Sequence, residues 1–206
     1  MIALRPPPPG MVDLRAAGPP GCLPLRFAVA YAGPDNFSGA AFPGYGAPGA
    51  WLRAPAADRL RQAQRTLSEE GLGLIIFDAY RPVRATEGMW AWAERVGQTA
   101  LFDQGWIARR SRHNTGVAVD LALYRPDEPP LDHGSPFDAF DARSFWGAEV
   151  PAAAQALRLR LRIAMTEAGF RPYDQEWWHF EAPVEGAARC DVPYGADEPE
   201  GALSVP

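Results

Sequence analysis

The feature that most constrains this chain is a pair of short motifs far apart in sequence, SRHNTGVAVD at 111–120 and EWWH at 176–179. His113, Asp120 and His179 are two imidazoles and one carboxylate, the ligand set of a catalytic zinc site that keeps one coordination position open for water. Such a site exists only if the fold brings the second motif back against the first. Glu176, close to His179 in sequence, is then placed to act on that water as a base. The expectation is a zinc hydrolase holding one Zn2+ per chain, with the rest of the molecule as support and substrate filter.

Composition narrows the substrate. The 206 residues suffice for one domain with a proper core, and 47% hydrophobic content with both charge signs mixed in is globular. A net charge of −5 and a pI of about 5.2 give no footprint for nucleic acid or an anionic membrane surface, so a small molecule or peptide is expected. All 20 basic residues are arginine, which excludes any mechanism needing a lysine of this chain, such as a Schiff base or a P-loop. MIALRPPPPG is not a charged leader followed by an apolar run, and no stretch of about 18 apolar residues occurs; a cytoplasmic chain without a membrane partner is expected. Cys22 and Cys190 stand in no metal spacing, and either a disulfide tying the ends or two free thiols in a reducing cytosol fits them.

Three segments follow from punctuation and periodicity. Residues 1–25, with a run of four prolines, read as an extended Pro-rich arm, 26–183 as a single catalytic domain, and 184–206 as an irregular tail of Gly, Pro and acid. Within the domain, Arg26–Tyr31 predicts a short strand, and the following turn-rich, aromatic loop has two readings, plain surface or cavity wall. Leu60, Ala63 and Leu67 predict a helix over 55–70, ended by Gly71; Leu72–Phe77 is a buried strand; Ala85, Met89, Trp92 and Val96 mark one face of the next helix. Val117–Leu123 alternates like a strand, 124–149 is a long aperiodic excursion, and Leu157, Leu161, Ala164, Met165 and Ala168 predict a helix ended by Gly169. Two short strands, Phe170–Tyr173 and Trp177–Glu181, follow. Helices and short strands without regular βαβ alternation predict an α+β fold with a mainly antiparallel central sheet flanked by helices.

Each motif also has a plain reading. H-x6-D is commonly a surface histidine and a solvated aspartate, and EWWH is equally an aromatic core strand; their company in one chain with three histidines favours a site. Gly116 lets the chain turn from His113 into a strand on which Ala118 and Asp120 share a face. The aromatics around Glu176 and His179 exclude water, which raises Glu176 toward the pKa a base needs. Asp78-Ala79-Tyr80-Arg81-Pro82 emerges at the end of a buried strand. Arg81 there can stabilise an oxyanion, clamp a substrate carboxylate, or pair structurally with Asp78. His133, in a turn-rich segment, is not expected to be a ligand.

Together the clusters resemble a family. SRHNTGVAVD fits S-x-H-x-x-G-x-A-x-D, DAYRP fits D-x-Y-R-P and EWWH fits E-x-W-H, in the order found in zinc D-alanyl-D-alanine dipeptidases of the vancomycin-resistance type. The likeness extends to Tyr31–Tyr45, to LALYR, and to GSPFDAFDARS at 134–144. It implies His113, Asp120 and His179 as zinc ligands, Glu176 as general base and then acid, and Arg81 as the residue that stabilises the tetrahedral intermediate. Ser111 and Asp78 are implied to hold Arg81 or the substrate ends. The implied fold is the α+β fold shared with hedgehog signalling domains, and the implied substrate is the free dipeptide D-Ala-D-Ala in a small, closed cavity. Two rivals stay open: a zinc D,D-carboxypeptidase trimming peptidoglycan stems, and a zinc-stabilised binding module without turnover. Oligomeric state, and a role in resistance as against recycling of the dipeptide, are not decided by sequence.

Overall fold

Helices form where apolar residues recur at helical spacing, and each buries that stripe. The computed structural model describes residues 3–16 and 18–195. In α1 (Ala54–Ser68), Pro55 lies in the first turn and Ala56, Leu60, Ala63 and Leu67 form one buried stripe. In α2 (Val83–Arg95), Ala85, Met89 and Ala93 are buried; Val96, expected on that stripe, caps the helix and is 46% exposed. The short α3 (Ala100–Asp103) follows, and α4 (Ala152–Glu167) buries Leu161, Ala164 and Met165 and packs beside α1. Burying a leucine side chain stabilises the fold by roughly 1.5–3 kcal/mol, so the stripes of α1 and α4 hold those helices to the sheet, while that of α2 packs in a second cluster with Tyr31, Trp51, Tyr80 and Tyr194.

The described strands are β1 (Met11–Asp13), β2 (Arg26–Phe27), β3 (Trp51–Arg53), β4 (Gly73–Asp78), β5 (Ala118–Tyr124), β6 (Arg171–Tyr173) and β7 (Glu176–Glu181). β1 and β3 form a separate antiparallel ribbon, and the main sheet has the order β2-β4-β5-β7-β6. That sheet is mixed: β2 runs parallel to β4, and the other pairings are antiparallel. The class is α+β, with a direction for β2 that two residues of sequence cannot carry. β5, at the centre, is buried along its whole length rather than on alternate residues, because both faces of the sheet are covered there.

The register sets up everything that follows. A bulge between Ile76 and Asp78 brings Asp78 opposite Asp120, and Asp120 in turn lies opposite His179. Three neighbouring strands thus present Asp78, Asp120 and His179 side by side.

Both ends of the described chain reach further into the body than an extended arm and an irregular tail. Met11 and Leu14 are buried, and β1 pairs with β3, since the prolines before Met11 set an extended backbone that a neighbouring strand can accept. Tyr194 is fully buried; its hydroxyl donates to the Tyr80 carbonyl at 2.7 Å. Val192 N donates to the Tyr80 hydroxyl at 2.8 Å, and Asp191 accepts from the Arg84 guanidinium at 2.9 Å. The part of the expected tail at 196–206 lies outside the described residues.

Candidate active site

Ser111 starts the site. Its hydroxyl accepts from His113 N at 3.2 Å, capping a single 3-10 turn at Arg112–Thr115. The turn ends at Gly116, whose left-handed φ of +70° favours glycine. The chain then enters β5, which carries Asp120. Arg81 N donates to the His113 carbonyl at 3.1 Å, and Asn114 Nδ2 donates to the Arg81 carbonyl at 2.9 Å, so one backbone bond and one side-chain bond tie the DAYRP element to the histidine turn.

His113, Asp120 and His179 converge. His113 Nε2 lies 3.1 Å from His179 Nδ1 and 3.2 Å from Asp120 Oδ2, and His179 Nδ1 lies 2.9 Å from Asp120 Oδ1. All three residues are buried, and their ligand atoms fall within 4.8 Å of one another. The outer ring nitrogens are already committed: His113 Nδ1 donates to the Ala79 carbonyl at 2.6 Å, and His179 Nε2 faces Glu181 Oε1 at 3.3 Å. Those partners fix the tautomers that leave His113 Nε2 and His179 Nδ1 free to ligate. Burial acts to raise the Asp120 carboxylate, but the two histidines outweigh it and hold it well below its ordinary range. Burial acts to lower His179, yet its hydrogen bonds to Asp120 and Glu181 prevail and raise it to about 10.

The donor set fits a metal. An ion bonded to three donors at about 2.0–2.2 Å in tetrahedral geometry holds them roughly 3.3 Å apart, and the observed spacings are a few tenths of an ångström shorter. Two imidazoles and one carboxylate leave a fourth position, which opens into a cavity of about 220 Å³ lined by Arg81, Glu176, Ser111, Asp138 and the three clustered residues.

Glu176 reaches the same face as His179, 3.8 Å from its Nδ1, although three residues of regular strand would put them on opposite faces. The β6–β7 pairing shifts between Pro172 and Tyr173, and this irregularity redirects the start of β7. Burial among aromatic walls and the nearby Asp120 charge raise Glu176 to about 7, against the pull of His179 and Arg81.

Arg81 is held rather than free. Its Nε and Nη2 both lie 2.9 Å from Asp78 Oδ2, Nη2 lies 3.9 Å from Asp120 Oδ2, and its guanidinium carbon sits 4.9 Å over the Tyr31 ring. Asp78 also accepts from the Tyr45 hydroxyl at 2.5 Å. Asp78 does not line the cavity; it stands behind Arg81 as the anchor of its fork.

His133 lies away from this cluster. Its Nε2 accepts from Leu123 N at 3.3 Å, its ring stacks on Trp177 at 4.5 Å, and burial lowers it to about 4, so it is a neutral structural imidazole.

Several cavity residues were not singled out by sequence. Asp138, in the aperiodic excursion, has a left-handed φ of +57° and accepts from the Tyr31 hydroxyl at 2.8 Å. Burial, then Asp120 and Glu176, raise its carboxyl well above the ordinary range. Phe37, from the loop with two readings, packs 5.1 Å from Phe140 and 4.7 Å from Trp92 along the cavity wall. The signal available was the family likeness of GSPFDAFDARS at 134–144, which contains Asp138 but did not single it out.

Comparison with known proteins gives a consistent picture. A family model described as D-ala-D-ala dipeptidase, of the M15 peptidases, matches residues 11–195. A D-alanyl-D-alanine dipeptidase of Enterococcus faecium is 34% identical over 171 residues, 76% of this chain and 85% of the relative. One from Streptomyces coelicolor is 34% identical over 176 residues, 78% and 87% of the two chains, and one from Escherichia coli is 34% identical over 174 residues, 84% of each.

Proposed function

The chain belongs to the D-ala-D-ala dipeptidase family of M15 peptidases, and from that premise we propose that it hydrolyses the free dipeptide D-Ala-D-Ala to two D-alanines at the His113–Asp120–His179 centre, with zinc as the metal. The observation that carries this reading is the meeting of a three-donor cluster, the Glu176 carboxyl and a held arginine in one small cavity. Zinc suits two imidazoles and one carboxylate and supplies, when bound, Lewis-acid polarisation of the scissile carbonyl and a lowered pKa for water.

The chain's own residues do the rest. Glu176, on the cavity face beside His179, takes the proton of the attacking water and later delivers it to the leaving amine. Arg81, its fork fixed by Asp78, offers charged donors to the oxyanion of the tetrahedral intermediate without reorganising. Asp138, presented by its bond to Tyr31, receives the ammonium of the dipeptide. A half-buried carboxyl that ionises reluctantly alone gains most from a cation placed against it. Ser111 shapes the turn that carries His113 and borders the cavity where the substrate carboxylate enters.

A volume of about 220 Å³ is below the roughly 300–1,000 Å³ of pockets for drug-sized ligands, which supports a dipeptide rather than a peptidoglycan stem. Among the described residues no helix is long and apolar enough to cross a membrane. Cys22 and Cys190 are unpaired, which supports a reducing, cytoplasmic setting. The test is D-alanine release from D-Ala-D-Ala by the purified chain, with metal content measured alongside. Release that is abolished by a chelator and restored by Zn2+ supports the reading, and chelator-resistant release overturns it.

A further inference from the structure

Arg158 on α4 is fully buried, yet its hydrogen bonds go to neutral oxygens alone. Its Nε donates to the His133 carbonyl at 2.5 Å, Nη1 to the Phe145 carbonyl at 3.1 Å, and Nη2 to the Arg143 carbonyl at 2.8 Å and to Ser135 Oγ at 3.3 Å. Burying a cation without a carboxylate costs stability, and an apolar side chain would fill the space at less cost. What the planar fork achieves here is geometric: one rigid group grips both ends of the excursion between His133 and Phe145.

The tip of that excursion is Asp138. From the clamp the connection continues through Ser144, fully buried beside Arg143, whose hydroxyl donates to the Ala139 carbonyl at 2.5 Å, next to Asp138. On the other side, Ser135 Oγ also accepts from Trp177 Nε1 at 2.9 Å, and Phe137 stacks on Phe77 at 4.8 Å. A left-handed aspartate is an uncommon conformation that persists only where its surroundings hold it.

We propose that Arg158 is the positioning residue for the ammonium end of the substrate site, holding Asp138 against Tyr31 by clamping both feet of the 133–145 excursion. The proposal rests on the reading of Asp138 as the ammonium acceptor. Arg158 touches no reacting atom; its effect is on where one carboxylate stands.

The experiment compares D-Ala-D-Ala with propanoyl-D-alanine, which keeps the amide and the carboxylate and lacks only the ammonium, in zinc-loaded wild type, Asp138→Asn and Arg158→Met. Metal content and melting temperature are recorded for each. Loss of a charged hydrogen bond is a roughly tenfold effect or more on binding. Arg158→Met is therefore expected to raise KM for D-Ala-D-Ala about tenfold and to erase most of the preference over propanoyl-D-alanine, with kcat changed less and metal content unchanged. A merely structural role would lower the amount of active enzyme and leave KM and the preference alone, and that result overturns the proposal. If Asp138→Asn itself leaves both unchanged, the ammonium reading falls and the proposal with it. If Asp138→Asn shifts both and a folded Arg158→Met shifts neither, only the proposal falls. Should Arg158→Met not fold, Ser144→Ala cuts the same connection closer to Asp138; a raised KM there supports the proposal, and an unchanged KM and preference overturn it.

Discussion

Asp120 on β5 and His179 on β7 are register partners in the sheet, and their side chains meet with Asp120 Oδ1 2.9 Å from His179 Nδ1. A candidate ligand pair built on adjacent strands takes its spacing from the backbone ladder. Only His113 and Glu176 need irregular backbone to join it, one a capped turn ending in Gly116 and the other a shifted hairpin.

Glu176→Ala is expected to keep metal and lose turnover, by roughly 10²–10⁴-fold in kcat, the range for a lost general base. His113→Ala is expected to lose both. Metal analysis beside a D-alanine assay separates the two, and near-normal activity in Glu176→Ala would sink the mechanism.

The half-buried Glu176 should make the metal-free chain less stable at high pH. Its folded pKa, about 7, lies above its ordinary value of 4.5, so the folded state holds the proton more tightly. The stability this proton provides is present below pH 4.5 and is lost as pH rises through 7. Glu176→Gln is thus expected to stabilise the chelated protein at pH 8, by on the order of 1–3 kcal/mol, and to change little at pH 4. Denaturant unfolding at the two pH values reads the difference.

Metal uptake should release protons. His179 is raised to about 10 in the metal-free chain, and a ligating imidazole nitrogen must be deprotonated. Zn2+ affinity is expected to rise with pH between 6 and 8 by up to about tenfold per unit, readable by titration in buffers of different ionisation enthalpy.

Arg81→Lys should not rescue Arg81→Ala. Lysine lacks the fork that meets Asp78 through both Nε and Nη2, and each variant is expected to lose roughly 10²–10³-fold in kcat with metal content retained. Steady-state kinetics on both variants decide it; a lysine variant near wild-type rate would show that charge alone suffices.

Much of the site was legible because its residues lie in short local motifs. His113 and Asp120 share ten residues, Glu176 and His179 share four, and Arg81 follows a buried apolar strand whose end is visible in sequence. Asp138 lay within a stretch that resembles the family, but its place in the cavity was not legible, because its partner Tyr31 is 107 residues away and its own segment has no periodicity. The same is true of Arg158, which in sequence is one more arginine of the amphipathic stretch at 152–167 and in the fold grips carbonyls 13 to 25 residues away. The helices came out within two residues of their expected bounds where Gly71 and Gly169 stopped them. The direction of β2 and the docking of Met11 and Tyr194 depend on contacts across the whole chain, which proline and glycine content does not encode.

The central claim is tested most directly by incubating the zinc-loaded chain with D-Ala-D-Ala and, in parallel, with N-acetyl-D-Ala-D-Ala, and measuring free D-alanine with and without chelator. Acetylation removes the ammonium proposed to meet Asp138 and lengthens the substrate. The account predicts chelator-sensitive release from the free dipeptide alone. Release from the acetylated peptide at a comparable rate would contradict it and point to a carboxypeptidase, and release from neither, with zinc bound, would point to a binding module.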